Sequence, residues 1–564
     1  MPLAGSPRAP GARLAAAIVI ALAAPALPAQ EARPDTLHTY RPGIDVLDYD
    51  LTLDLPDTGA VISGRAAITV RRTRPVDTLV LDLVRLPVDS VLVNGAPAEF
   101  ARDSATIRIV LPRSTGDSLA VVVRYGGPVT DGLIVRKDPQ GRWTYFGDNW
   151  PNRARHWIPS VDHPSDKATV TWTVRAPSER RVVANGTLVV EAPAVAPPSG
   201  QSKPYSITRW RMEQPIPVYL MVIGAAPLVY YDLGKSACGL AEQGGCVPQS
   251  VYIAPEVAAN TLDGLHTLPS LRAVDGIVHF FARLVAPFPY EKLAHVQSAT
   301  RFGGMENATA IFYSDRAFRE GTLGEGLIAH ETAHQWFGDA VTGREWGHLW
   351  LSEGFATYFA ELWTEHSKGD SAFRQGMAQI RDRIVKSEAT AARPVIDTAE
   401  TDYLKLLNTN SYQKGGWVLH MLRAVIGDSA FFSGIRSYYT KHRHGTVLTR
   451  DLQIEVERSS SEPLEWFFDQ WLRRPGHAEL TTQWRYDERT RRVLLEVEQG
   501  GRWPPYRFPL VVEVQDAAGT ARRAIVQVPA TRTQRLTIPI ALDRAPRAVT
   551  LDPDVQLLAT FTAR

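Results

Sequence analysis

The spacing of apolar residues changes twice along this chain of 564 residues. From about residue 45 to 235, apolar and polar residues alternate, as at Tyr49, Leu51 and Leu53, which is the period of a strand with one buried face. From about 260 to 475, apolar residues recur three and four positions apart, as in a helix with one buried face. Alternation returns after Gly476. The sequence therefore predicts a multidomain α+β protein in the order β, mostly α, β.

The N-terminal β region has further alternating runs at residues 79–83 and 107–111. The dipeptides Asn94-Gly95 and Asn185-Gly186 are typical of hairpin turns. Many short strands with regular turns predict an antiparallel sheet domain, which we place at residues 30–248. We interpret the Pro/Ser/Gly-rich stretch 192–204 as a long loop within this domain, because strand-like sequence follows it.

Of the two regions that follow, the first has helical spacing and the second has strand spacing. Residues 325–337, 355–365 and 417–425 have helical spacing, and they fall in a predicted mostly α domain at 249–477. Strand-like segments at 493–497, 508–514, 524–528 and 549–558 predict a small β-sandwich-like domain at 478–564.

The first 29 residues have the character of a secretory signal peptide. Arg8 and Arg13 precede an apolar run of about 11 residues, which is too short to cross a bilayer, and small residues and prolines follow. The alternative is a buried N-terminal helix. We expect an exported protein, periplasmic or secreted, with no transmembrane segment after cleavage of the signal.

Charge and cysteine content restrict the partners. The net charge of +2 gives no indication of a nucleic-acid partner. Cys238 and Cys246 lie in one Gly-rich stretch, and in an exported protein we expect them to form a local disulfide. The alternative is a pair of free thiols. The sequence carries no signature of a particular oligomeric state.

Residues 330–334 read His-Glu-Thr-Ala-His. Helical residues four apart share a face, so His330 and His334 can both reach one ion. Glu353 follows His334 with 18 residues between them, in a second helical segment. Two histidines and one glutamate form an established ligand set for catalytic zinc, although affinity order alone also admits cobalt or other transition ions. The alternative is an exposed helix turn that carries three polar residues by chance.

Three further segments accompany this pattern. Residues 303–307 read G-G-M-E-N, residues 411–415 read S-Y-Q-K-G, and an A-R-x-x-x-P-x-x-D-x-P-x-x-K run begins at Ala154. With these segments the chain resembles the aminopeptidase N-like family of zinc metallopeptidases from about residue 145 to 477. The resemblance implies a thermolysin-like catalytic domain and one zinc ion held by His330, His334 and Glu353.

The resemblance also implies the site roles. Zinc polarises the scissile carbonyl and lowers the pKa of its water, and Glu331 takes the proton and returns it to the leaving amine. Tyr412 stabilises the oxyanion. Glu306 accepts the free ammonium of a peptide substrate, and Gly303 and Gly304 let the peptide backbone approach. The predicted substrate-binding residues are Gly303, Gly304, Met305, Glu306 and Asn307.

Two departures from the family pattern bear on this interpretation. Trp150 stands where many members carry a second Glu or Gln near the ammonium. Asp148 or Asn149 could replace that contact, or Trp150 could offer a cation–π face. Larger members continue into a helical C-terminal domain, whereas about 90 residues of β-like sequence follow Gly476 here. We therefore expect a more open cleft.

Three other functions remain as alternatives, one of which is a leukotriene-type epoxide hydrolase side activity. A zinc endopeptidase shares the metal centre but has no need of Glu306. A catalytically silent, zinc-containing peptide-binding protein is expected to have lost Glu331 or Tyr412, and both are present.

Overall fold

The alternating N-terminal sequence forms strands in the structure, a computed structural model that describes residues 40–112, 116–194, 203–241, 244–259 and 268–564. The predicted signal peptide at 1–29 lies outside the described residues. The strands of this region are β1 Ile44–Asp54, β2 Val61–Arg72, β3 Thr78–Asp82, β4 Val88–Val93, β5 Ala96–Pro97, β6 Phe100–Arg102, β7 Thr106–Val110, β8 Ser118–Pro128, β9 Leu133–Lys137, β10 Trp143–Gly147, β11 Lys167–Pro177, β12 Arg181–Ala184, β13 Thr187–Pro193, β14 Tyr205–Pro217 and β15 Ile223–Ala226.

These strands form three sheets. An eight-stranded sheet has the order β13-β14-β11-β1-β2-β8-β4-β5, a four-stranded sheet the order β12-β15-β10-β9, and a three-stranded sheet the order β3-β7-β6. Tyr49, Leu51 and Leu53 of β1 are buried, as alternation predicts. The pairing of β1 with β11 is parallel, so the predicted antiparallel domain contains a parallel pair. The loop predicted at 192–204 lies mostly outside the described residues, and the strands before and after it, β13 and β14, pair with each other.

The two predicted hairpin turns differ in outcome. The dipeptide at 94–95 links β4 to β5, which pair as expected. The prediction at 185–186 is wrong, because β12 pairs with β15 and β13 pairs with β14. Here the chain passes from one sheet to another. Asn185 is buried, and its Nδ2 donates to the carbonyls of Leu220 at 2.8 Å and Ala308 at 2.7 Å, so a buried amide sets this turn.

The helices predicted at 325–337, 355–365 and 417–425 are present as α4 Glu325–His334, α5 Trp350–Lys368 and α8 Gly415–Ile426. Among the described residues, no helix is both long and apolar enough to span a membrane. The α-helices are α1 Pro255–Ala259, α2 Val274–Leu284, α3 Asp315–Arg319, α4 Glu325–His334, α5 Trp350–Lys368, α6 Asp370–Val385, α7 Glu388–Ala392, α8 Gly415–Ile426, α9 Asp428–His442, α10 Thr449–Ser460 and α11 Glu465–Leu472.

A five-stranded sheet of order β16-β17-β18-β20-β19 accompanies these helices. Its first strand belongs to the region that we assigned to the N-terminal domain, so this sheet begins before residue 248, inside the predicted boundary. Its strands, and a two-stranded ladder nearby, are β16 Val229–Ser236, β17 Val247–Ile253, β18 Leu293–Ser298, β19 Gly304–Met305, β20 Ala310–Ser314, β21 Thr342–Gly343 and β22 Thr446–Val447.

The C-terminal region has two sheets, β27-β24-β23-β29 and β26-β25-β28, as expected for a sandwich-like domain. The prediction of a single strand at 549–558 is wrong. The Asp552 carboxylate accepts the N–H groups of Gln556 and Leu557, and these hydrogen bonds form a turn that ends the strand. The strands are β23 Ala478–Asp487, β24 Arg492–Gln499, β25 Phe508–Gln515, β26 Ala521–Val528, β27 Thr533–Thr537, β28 Ala548–Leu551 and β29 Ala559–Ala563.

The predicted disulfide is not present. Cys238 and Cys246 lie on adjoining segments, where Gly239 N donates to the Gly245 carbonyl at 3.0 Å, and both side chains are free thiols. Burial, Asp275 and Cys246 raise the pKa of Cys238 to about 11. Because the thiolate is the form that enters a disulfide, the raised pKa of Cys238 slows oxidation of this pair.

Candidate metal centre and active site

The three predicted ligands meet between α4 and α5. His330 and His334 lie one turn apart on α4, and their Nε2 atoms are 3.1 Å from each other. Glu353, in the first turn of α5, places Oε2 3.3 Å from each of these nitrogens. The structure thus brings together the two imidazoles and the carboxylate that the sequence predicted.

This cluster fits a metal ion. Glu353 Oε2 is buried without a hydrogen-bond partner, although buried polar atoms are normally satisfied. Burial opposes ionisation of Glu353, but His334 and His330 outweigh it and lower its pKa to about 2. Burial lowers the pKa of His330, which favours the neutral imidazole. A carboxylate and imidazole nitrogens converging on one point form the donor set that zinc prefers.

Ser352 and Gly338 orient the second histidine, and sequence reasoning missed both. His334 Nδ1 lies 3.1 Å from the Phe337 carbonyl and 3.0 Å from Ser352 Oγ. A proton on Nδ1 donated to that carbonyl leaves Nε2 free to face the cluster. Gly338 has φ +126°, and a Cβ there would lie 2.4 Å from Ser352 Oγ. The sequence signal was the serine directly before the predicted ligand Glu353.

Glu331 is packed against the G-G-M-E-N segment. A Cβ on Gly304 would lie 2.3 Å from Glu331 Oε1, whereas a Cβ on Gly303 would meet only Leu327 Cδ2, at 3.9 Å. Gly304 therefore makes room for the carboxylate of Glu331. Burial, together with the charges of Glu306 and Glu353, outweighs His334 and raises the pKa of Glu331 well above its usual range.

Glu306 follows the short strand β19 and is 5% exposed. Carboxylate oxygens of Glu306 and Glu331 and a ring nitrogen of His334 lie within 4.8 Å of one another. Burial and Glu353 outweigh His334 and raise the pKa of Glu306 to about 7. Met305 and the two glycines line the same cleft, but Asn307 is fully buried and does not.

Tyr412 lies in a π-helix, Asn410–Lys414, directly before α8. Its ring is nearly parallel to that of His330, with the ring centres 6.0 Å apart. Burial and the charges of Glu353, Glu306 and Glu331 raise the pKa of Tyr412 well above its usual range. The phenol is therefore a neutral donor beside the ligand cluster.

One cleft of about 470 Å³ is lined by the three ligand residues and by Glu306, Glu331 and Tyr412. Trp150 lines it, edge-to-face with Phe302 and with Trp346, whose ring centre is 5.3 Å away. Asp148 does not line it and pairs with Arg153 at 2.9 Å, and Asn149 donates to the Met221 carbonyl at 2.7 Å. Trp150 alone of the three alternatives faces the cleft.

A second wall of the cleft was not predicted. Its residues on α5 follow Glu353 at helical spacing, which is the signal that could have identified them. The additional lining residues on α5 and α6 are Thr357, Ala360, Glu361, Thr364, Ile380 and Arg383.

Two family models match this chain. Residues 272–471 match the Peptidase family M1 domain and residues 46–220 match the Peptidase M1 N-terminal domain. Aminopeptidase N of Streptomyces lividans is 28% identical over 463 residues, covering 77% of this chain and 50% of the relative. Tricorn protease-interacting factor F2 of Thermoplasma acidophilum is 26% identical over 417 residues, covering 70% and 49%. The chain thus spans about half the length of these relatives.

Two solved structures are similar to this chain. An M1 zinc metallopeptidase from Deinococcus radiodurans is 26% identical, with a TM-score of 0.64, and the match covers 77% of this chain and 95% of that chain. Aminopeptidase A of Legionella pneumophila has a TM-score of 0.77 at 18% identity, over 93% of this chain and 60% of that one. The second likeness is one of fold.

Proposed function

Because the chain belongs to peptidase family M1, we propose that it is a zinc-dependent aminopeptidase that removes N-terminal residues from peptides. The observation that carries this proposal is the buried carboxylate of Glu306, within 4.8 Å of atoms of Glu331 and His334. A peptide whose ammonium meets Glu306 has its first peptide bond close to the metal ligands and to Glu331. That arrangement favours cleavage after the first residue.

Glu306 separates this proposal from the endopeptidase alternative. Among the described residues, the groups whose charge shifts the pKa of Glu306 are His334 and Glu353, and His334 is uncharged when it is a metal ligand. A buried carboxylate without a cationic partner is costly. The ammonium of a free peptide N-terminus supplies that partner through a charge-assisted hydrogen bond.

The chain's own residues divide the reaction between them. His330, His334 and Glu353 would hold zinc, which when bound acts as a Lewis acid and makes water more acidic. Glu331 accepts a proton from the attacking water and delivers it to the leaving amine. The Tyr412 hydroxyl donates a hydrogen bond to the carbonyl oxygen as negative charge develops there.

The test compares one peptide with its N-acetylated form on the zinc-loaded protein. We expect the free peptide to lose its N-terminal residue, with a kcat/KM at least about 100-fold above that of the acetylated form, since an unpaired buried charge costs about 3 kcal/mol or more. Equal cleavage of both would favour an endopeptidase. Tight binding of the free peptide without any hydrolysis would favour a silent peptide-binding protein.

We also propose that the protein is exported. The basis is the sequence of residues 1–29, in which basic residues precede a short apolar run and a small-residue stretch. N-terminal sequencing of protein recovered from outside the cytoplasm tests this. A mature chain that starts close to residue 25 or 30 supports it, and retention of the whole protein in the cytoplasm contradicts it.

A further inference from the structure

Gln335 follows the ligand His334 directly and is fully buried. Its Nε2 donates to the carbonyl of Glu306 at 3.0 Å, and its Oε1 accepts from the N–H of Thr309 at 2.9 Å. One side chain thus forms hydrogen bonds with both ends of the segment 306–309, which begins with Glu306. It reaches this segment from the C-terminal end of α4, the helix that carries His330 and His334.

The segment 306–309 contains a residue in a strained backbone conformation. Thr309 has φ +67°, a left-handed conformation that is strained for a β-branched residue. On its other side, Lys292 Nζ donates to the Thr309 carbonyl at 3.0 Å and Asn185 Nδ2 donates to the Ala308 carbonyl at 2.7 Å. Gln335 joins this segment to the end of the metal helix.

The amide of Gln335 is itself fixed. Its Nε2 also donates to Asp339 Oδ2 at 2.9 Å. Lys167, from strand β11, donates to the carbonyls of Asp339 at 2.8 Å and Ala340 at 3.0 Å. The main chain that carries Asp339 is therefore braced by the N-terminal sheet, and the orientation of the Gln335 amide is set from both sides.

We propose that Gln335 is a positioning residue for Glu306, which fixes the distance between the ammonium-binding carboxylate and the metal ligands. This inference rests on the proposed aminopeptidase function. The carbonyl of Glu306 and the N–H of Thr309 are tied to the residue adjacent to His334, so they move with the metal helix. Loss of this link displaces Glu306 and weakens recognition of the free N-terminus, while Glu331, the metal ligands and Tyr412 stay in place.

The test is Gln335→Leu in the zinc-loaded protein. We expect KM for a peptide with a free N-terminus to rise about tenfold or more, which corresponds to loss of one hydrogen bond to a charged group. We expect kcat to change less than about threefold, because binding common to substrate and transition state affects KM alone. Zinc content stays at the wild-type level, and the preference for free over N-acetylated peptide falls with the rise in KM.

Gln470 offers a matched control. It is 2% exposed, and it also bridges main chain, donating to the Arg507 carbonyl at 2.7 Å and accepting from the Arg507 N–H at 3.0 Å. Gln470→Leu removes the same kind of contact away from the cleft. We expect a lower melting temperature in this variant and an unchanged KM.

The outcomes separate the two claims. A wild-type protein that does not distinguish free from acetylated peptide overturns the aminopeptidase proposal and this inference with it. A wild-type protein that does distinguish them, together with an unchanged KM in Gln335→Leu or a loss confined to kcat, overturns this inference alone. If Gln335→Leu does not fold, Gln335→Met, which keeps the unbranched shape without the amide, gives the same comparison.

Discussion

At the scale of single residues, local geometry decided what could be predicted. His330 and His334 share a helix face wherever that helix lies, so their spacing alone indicated a metal pair. The contact between Ser352 Oγ and His334 Nδ1, at 3.0 Å, depends on how α5 crosses α4, which the sequence does not specify. Trp150 was recognised as a departure from the family pattern, but only the fold shows that it faces the cleft while Asp148 and Asn149 do not.

Gly304→Ala is expected to impair catalysis through Glu331. The added methyl would lie 2.3 Å from Glu331 Oε1, so the carboxylate must move, and a displacement of about 1 Å costs on the order of 100-fold in rate. Gly303→Ala is the matched control for kcat, since its methyl meets only Leu327 Cδ2, at 3.9 Å, and any effect on substrate binding changes KM. Steady-state kinetics on a free peptide measures both. Similar losses in kcat for the two variants would contradict the assigned contact with Glu331.

Ser352→Ala is expected to weaken metal binding about 10- to 100-fold, the usual effect of losing a residue that orients a metal-bound histidine. Competition with a chelator measures the zinc dissociation constant. Ser367→Ala, on the same helix, removes a hydroxyl that donates to the Trp363 carbonyl at 2.8 Å, away from the ligands, and should leave zinc affinity unchanged. Equal affinity in wild type and Ser352→Ala would show that the hydroxyl does not orient His334.

At the scale of elements, the segment that carries Tyr412 has a form that the sequence did not predict. Its π-helix, Asn410–Lys414, is held by a buried network. Asn410 Nδ2 donates to the carbonyls of Ala389 at 3.0 Å and Arg393 at 3.1 Å, and Lys414 Nζ donates to the Arg474 carbonyl at 3.3 Å. Single-turn π-helices often occur at functional sites, but they arise from such long-range contacts and leave no local signal.

Asn410→Ala is expected to lower kcat by about tenfold while KM changes less than about threefold, because Tyr412 acts on charge that develops in the transition state. The free energy of unfolding should fall by about 1–3 kcal/mol, since carbonyls that Asn410 satisfies lose their donor. Chemical denaturation and steady-state kinetics measure the two effects. Asn410 is expected to act through Tyr412. A loss in kcat larger than that of Tyr412→Phe, or a rise in KM alone, would contradict this role.

At the scale of the whole molecule, the site depends on regions far apart in sequence. Lys167 of the N-terminal sheet donates to the main chain behind the metal helix, and Arg381 of α6 pairs with Asp552 of the C-terminal region at 2.9 Å. Periodicity predicted the order β, mostly α, β because it reflects which face each element buries. The hairpin prediction failed at Asn185, because a hairpin requires two successive strands to pair and β12 and β13 instead pair with β15 and β14.

The central claim is that His330, His334 and Glu353 form one zinc site in which Glu331 is the base. The most direct measurement is a zinc titration of metal-free protein, with peptidase activity and bound zinc followed together, for wild type and Glu331→Gln. The account predicts that wild-type activity returns in proportion to zinc up to one equivalent. It predicts that Glu331→Gln also binds one equivalent but loses at least about 1,000-fold in kcat, consistent with removal of a general base. Activity in the metal-free protein, or near-wild-type activity in Glu331→Gln, would contradict it.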